Sequence, residues 1–243
     1  MKMLTFARRN AREILRDPLN LCFGLGFPLV LLLLLHAIDK NAPVSLFALQ
    51  LLTPGVTVFG LSFLTLFGAT IIARDRSSAL LQRLYTTPLR PVDFILGYTL
   101  PILPMAVAQS LVCYGAAWLM GLQLRVHCLY ALVSILPVSL LYIGIGLLCG
   151  SVLTDKQAGG ICGALLTNVS AWLSGIWFDL ELVGGVFEKI ANALPFLHAV
   201  QLQRAVLSGE FVSVLPHLWW VLGYAAVCLV AAVALFMRQM KRQ

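Results

Sequence analysis

From Asn41 to Ala73, and again from Phe94 to Leu124, the chain carries no charged side chain. Runs of this length constrain the fold more than any other feature. A helix needs roughly 20 mostly apolar residues to cross a hydrocarbon core of about 30 Å. Uncharged runs long enough for this fall at about Leu19 to Ala37, Leu51 to Ala73, Ile95 to Gly121, Cys128 to Leu153, Ala158 to Phe178 and Leu215 to Met237. With 60% hydrophobic and 11% charged residues, the composition lies outside the range of soluble domains. The stretches between runs are too fragmented to bury a separate core. The sequence therefore predicts an all-α membrane protein, one transmembrane domain over 1–243, with six crossings and both termini on one side.

A shorter apolar stretch, Ile190 to Gln203, contains Asn192, Pro195 and His198 and is flanked by Lys189 and Arg204. At that length it is expected to lie in the outer interface or re-enter, as part of an outer element over 183–204. Orientation follows from lysine and arginine near the helix ends. With the N-terminus inside, the inner segments hold Lys2, Arg8, Arg9, Arg12, Arg16, Arg74, Arg76, Arg83, Arg90, Lys156, Arg238, Lys241 and Arg242, leaving Lys40, Arg125, Lys189 and Arg204 outside. Trp118, Trp172, Trp177, Trp219 and Trp220 then fall toward outer helix ends, where amphipathic rings favour the headgroup layer. The net charge of +7 is accounted for by this topology, and no nucleic-acid-binding motif accompanies it.

In residues 1–17, Leu4, Ala7, Ala11 and Ile14 recur at helical spacing while Arg8, Arg12 and Arg16 form a second row. This predicts an interfacial helix on the anionic inner leaflet, or else a charge cluster that only sets topology. The first apolar run is expected to remain as an anchor, since no small-x-small cleavage site follows it. The six cysteines show no C-x-x-C spacing and read as small apolar residues. His36, His127, His198 and His217 all map to the outer side, where interfacial hydrogen bonding fits better than a metal.

No Asp, Glu, Lys or Arg lies inside any of the six runs, although ion-coupled carriers usually need such groups at membrane depth. A phosphate-binding loop requires Lys followed by Ser or Thr, and the lysines here precede Met, Asn, Gln, Ile and Arg. No paired-carboxylate or Ser/His/Asp constellation suggests a catalytic site. The chain has neither a nucleotide site of that kind nor an evident energy source.

Between the second and third runs lies "RDRSSALLQRLYTTPLRP". Leu80, Leu81, Leu84 and Tyr85 make an apolar face, with Arg76 and Arg83 elsewhere, and Thr87-Pro88 ends the helix before Pro91 opens the next. A short helix with apolar and basic faces on the cytoplasmic side suits docking into another protein, or resting on headgroups.

The segment "RDRSSALLQRLYTTPLRPVDFILGYTLP" resembles the signature region of the ABC type-2 permease family, with Leu81, Arg83, Leu84, Thr87, Pro88, Leu89 and Leu96-Gly97 carrying the likeness. A second segment, "LSGIWFDLELVGGVFEKIANALPFLHAVQLQRAVLSGE", is similar to the family's outer region through Leu173, Ser174, Gly175, Phe178, Leu194, Pro195 and Arg204. The resemblance runs nearly the whole chain and is nearest to the drug- and antibiotic-exporting branch. It departs at Ser77–Ala79, where the family carries acids and Gly-Thr, and at Asp179, where it carries Pro.

What the resemblance implies is a permease subunit of an ATP-driven exporter in a bacterial inner or plasma membrane, moving an amphipathic, drug-like or lipid-like compound outward. It implies two copies of the chain as a homodimer, with two copies of an ATP-binding subunit carrying ATP and Mg. The coupling helix region, 74–91, would receive that subunit through Arg74, Asp75, Arg76, Leu80, Leu81, Arg83, Leu84, Tyr85, Thr87 and Pro88. The substrate path would run beside Thr53, Thr57, Phe59, Phe63 and Thr65 of the second span and Thr167, Asn168, Ser170, Ser174 and Phe178 of the fifth, although such polar groups also serve helix packing. A nucleotide-independent channel or carrier, and a non-transporting scaffold or sensor, are the alternatives. Gly146 with Gly150 and Gly159 with Gly163 are expected to close the hairpin between the fourth and fifth spans.

Overall fold

The computed structural model describes residues 2–41, 47–78, 91–123 and 125–241, and the regular structure among them is helical throughout. The elements are α1 (Lys2–Leu15), α2 (Pro18–Asn41, with a π-helical turn at Cys22–Gly26), α3 (Leu49–Ser77), α4 (Pro91–Leu119) and α5 (Val126–Val152). After them come α6 (155–172, π-helical over Ile161–Leu166), α7 (Leu180–Val183), α8 (Gly185–Ala193), α9 (Pro195–Ser208) and α10 (Phe211–Lys241). Among the described residues five helices, α2, α3, α4, α5 and α10, are long and apolar enough to span a membrane. The expected crossing at Ala158 to Phe178 is the shorter helix α6. A Thr154–Gln157 capping box starts it, and it ends in a turn where Gly175 takes φ +68°.

α3 is the axis of the bundle. Of its most apolar stretch 89% is buried, against 22% in α2 and 28% in α10, so the latter two keep faces free for lipid or another chain. A helix apolar on every side belongs in the centre. Its tightest neighbour is α5. A Cβ on Gly146 would stand 2.7 Å from the Thr65 carbonyl oxygen, and one on Gly150 2.7 Å from that of Ala69. The Thr65 hydroxyl adds a 2.8 Å bond to the Tyr142 carbonyl. These glycines therefore seat α5 on α3, which corrects the expectation that they close the α5–α6 hairpin. Gly159 meets nothing, and Gly163 faces Leu66.

α1 buries Phe6, Ala7, Asn10 and Ile14 and exposes Arg8, Arg12 and Arg16; of the apolar row expected from spacing, Ala7 and Ile14 are buried, Ala11 is half-buried and Leu4 is exposed. It docks on a proline-interrupted part of α4. Pro101 has no N–H for the Gly97 carbonyl, and the Asn10 amide donates to that oxygen at 3.0 Å instead. Gly97 also has no side chain to obstruct the Phe6 ring, which packs edge-on against Phe94 and Tyr98. Ile190 to Gln203 spans the end of α8, a break at Leu194–Pro195 and most of α9, whose residues are largely buried against α10, α5 and α3.

Candidate functional site

Arg74, Asp75 and Arg76 form the last turn of α3, and each reaches a different part of the bundle. Asp75 is 2% exposed. Its carboxylate accepts two bonds from Arg9 of α1, at 2.5 and 2.8 Å, and one from the Tyr98 hydroxyl of α4 at 2.9 Å. Such a bidentate pair fixes geometry as well as charge. The bond to Asp75, with its charge, holds the Arg9 guanidinium above its ordinary pKa despite partial burial. Glu13 lies 2.8 Å from the same guanidinium, one turn along α1.

The Arg76 guanidinium donates to the carbonyls of Ser151, Val152 and Leu153. Those groups end α5 without helical partners, and a cation there also meets the negative end of the helix dipole. Arg74 lies 3.9 Å from Asp155 in the first turn of α6, both exposed. Three consecutive side chains thus tie the exit of α3 to α1, α4, α5 and α6. The next residues of the expected coupling helix, Leu80, Leu81, Arg83, Leu84, Tyr85, Thr87 and Pro88, lie outside the described residues.

The expected path residues fall in two groups. Thr53, Thr57 and Thr65 of α3 and Thr167 and Ser170 of α6, with Ser174 just beyond it, are buried within the single chain. Thr57 bonds the Thr53 carbonyl, Thr167 that of Cys162 and Ser174 that of Ala171, while Ser170 meets the Tyr142 hydroxyl at 2.8 Å. Asn168 is exposed and bonds the Ala164 carbonyl. Phe178 is half-buried beside Phe187. Phe59 and Phe63 join a continuous aromatic series with Phe23 and Phe27 of α2 and Trp177, with neighbouring centroids 5.4–6.4 Å apart. Phe23 and Phe27 expose the outward side of this series.

At the opposite end of α3 from Asp75, Arg204 of α9 donates to the Gly175 carbonyl at 3.0 Å and the Leu51 carbonyl at 3.2 Å, joining α9, the turn after α6 and the start of α3. Burial lowers its pKa, opposed by the Asp179 charge. His198 and His217, from α9 and α10, meet nitrogen to nitrogen at 2.9 Å. The Asn192 carbonyl can only accept, so His198 Nε2 carries a hydrogen toward it at 2.9 Å. In the neutral pair His217 Nδ1 then donates to His198 Nδ1. Trp220 stacks on His198 at 4.8 Å and 14°.

Arg9, Asn10 and Tyr98 were not among the expected site residues. The available signal was chemical: a carboxylate at the end of a buried helix needs a cation, and α1 carries a surplus of arginines. Its spacing sets Arg8, Arg12 and Arg16 in one row apart from Arg9, but does not say that Arg9 meets Asp75.

The family model described as ABC-2 type transporter matches residues 1–208. The chain is also similar to the capsule polysaccharide export inner-membrane protein CtrC of Neisseria meningitidis serogroup A / serotype 4A, at 23% identity over 162 residues, which is 66% of this chain. The aligned part spans 61% of that relative's length.

Proposed function

The chain belongs to the ABC-2 type transporter family, and we propose that it is the membrane-embedded half of an exporter driven by a separate ATP-binding chain, two copies of each making the transporter. It is a multi-pass membrane protein, and permeases of this family work with an ATP-binding subunit. The observation that carries the reading is the three-residue clamp at Arg74–Arg76. A push on the segment beyond Ser78 would be delivered into the end of the central helix and, through its ion pairs, into α1, α4, α5 and α6. A conformational drive needs differential contacts with a partner, and the sequence offers no internal energy source.

In this reading the N-terminus is cytoplasmic and α6 makes the sixth crossing. Its 18 residues would rise about 27 Å, and the turn around Gly175 would complete the passage. The α8–α9 element would enter from the outer side, its irregular backbone shielded by protein as membrane depth requires. The cargo is an amphipathic or lipid-like compound passing the exposed side of the Phe23, Phe27, Phe59, Phe63 and Trp177 series. A second reading is a lipid-linked saccharide. The capsule polysaccharide relative favours it, as does a row of aromatic faces suited to sugar rings.

The deciding experiment is ATP hydrolysis by the reconstituted complex across drugs, lipids and lipid-linked glycans. Stimulation by one class supports the exporter and names its cargo. Transport by this chain in vesicles without nucleotide would replace it with a channel or carrier.

A further inference from the structure

On the side of α1 away from the Asp75 clamp lies an apolar cleft of about 580 Å³ between α1, α2 and α4. Leu4, Leu15, Leu25, Leu100, Pro104 and Met105 line it, and Arg8 is the one charged residue at its edge. Leu4 and Leu15 are 62% and 68% exposed, which leaves an open apolar trough beneath a basic helix. Arg8 is exposed and has no side-chain hydrogen bond or ion pair among the described residues, whereas Arg12 and Arg16 line a separate polar pocket with Glu13 and Asp17. Arg9 is already committed to Asp75 and Glu13. Unsatisfied positive charge above an apolar trough matches one kind of molecule, a negatively charged headgroup with acyl chains.

We infer that this cleft holds an anionic phospholipid, its acyl chain along Leu4, Leu100 and Pro104 and its phosphate against Arg8. Basic pockets beside membrane helices select acidic headgroups by this combination of charge and apolar burial, and the volume suits a single small ligand. The bound lipid bears directly on the mechanism. α1 is held between it and the Asp75 clamp, so lipid occupancy fixes the position from which Arg9 grips the end of α3. The inference rests on the reading that α1 lies on the bilayer surface, but not on transport or on which leaflet it faces.

Native mass spectrometry of the full chain, purified in detergent and given equal phosphatidylglycerol and phosphatidylcholine, tests the site directly. The wild type is expected to retain phosphatidylglycerol preferentially, and the preference should fall about fivefold for Arg8→Gln. Ala108→Trp, which fills the cleft from an exposed position on α4, should reduce retention of both lipids while α-helical content stays unchanged. Equal retention of the two lipids by the wild type overturns the proposal. So does retention unaffected by both variants, or a change of oligomeric state with Ala108→Trp in place of lipid loss, which would make the cleft a contact with a second copy. None of these outcomes touches the exporter reading, which is judged by ATP-dependent transport.

Discussion

The Asp75 carboxylate receives both guanidinium nitrogens of Arg9, at 2.5 and 2.8 Å, across 66 positions of sequence. The pair is asymmetric: Asp75 is almost fully enclosed, while the Arg9 side chain is 39% exposed. Loss of either partner therefore has unequal consequences, because Arg9 regains water when released and Asp75 does not.

Arg9→Ala is expected to destabilise the protein by about 2 kcal/mol, below the usual cost of breaking a fully buried pair because Arg9 is partly exposed. Asp75→Asn should cost less, since Tyr98 and Arg9 keep a hydrogen-bonding neighbour. Thermal unfolding in detergent ranks the two. A reversed order would mean that the carboxylate finds water in the folded state. If the clamp transmits motion, Arg9→Ala should also lower cargo-stimulated ATP hydrolysis relative to the basal rate.

Gly150 and Gly159 should respond in opposite directions. A methyl on Gly150 enters the Ala69 backbone and the Ile72 side chain at 2.7 and 2.8 Å, and overpacking of this kind costs about 1–3 kcal/mol. Gly159 is helical with open space around its missing side chain, so Gly159→Ala should be neutral or stabilising by up to about 1 kcal/mol. Melting temperatures of the two variants decide the matter.

Coupling through the segment after Ser78 predicts that Leu81→Asp or Leu84→Asp weakens co-purification of the ATP-binding subunit and lowers its hydrolysis rate in the complex. Unchanged association and unchanged rate would direct attention to another surface.

Burial lowers the pKa of His198, partly offset by its bond to the Asn192 carbonyl. The unfolded chain then binds the proton more readily than the native one, so stability is full at neutral pH and declines as pH falls through about 6.5, the ordinary histidine value. Melting at pH 7.5 and 5.5 should show a larger loss in the wild type than in His198→Gln. Equal losses would place the sensitive group elsewhere.

Hydropathy and amphipathic spacing belong to the chain as a line of residues, so the helical class, the long apolar helices and the two faces of α1 are legible in the sequence. The resemblance around Leu81 to Gly97 also pointed to the family. Pairings between distant residues are not written this way. Arg8, Arg9, Arg12 and Arg16 are equivalent by composition, and only the seating of Phe6 on Gly97 and of Asn10 on the carbonyl freed by Pro101 turns Arg9 toward Asp75. Likewise, Gly146 and Gly150 announce a close helix approach, but the bundle decides that α3 makes it. The sequence specified which surfaces must leave water, since that depends on local apolar area. The fold specified which charge meets which, because a buried ion pair forms only where packing brings both partners out of water at one point.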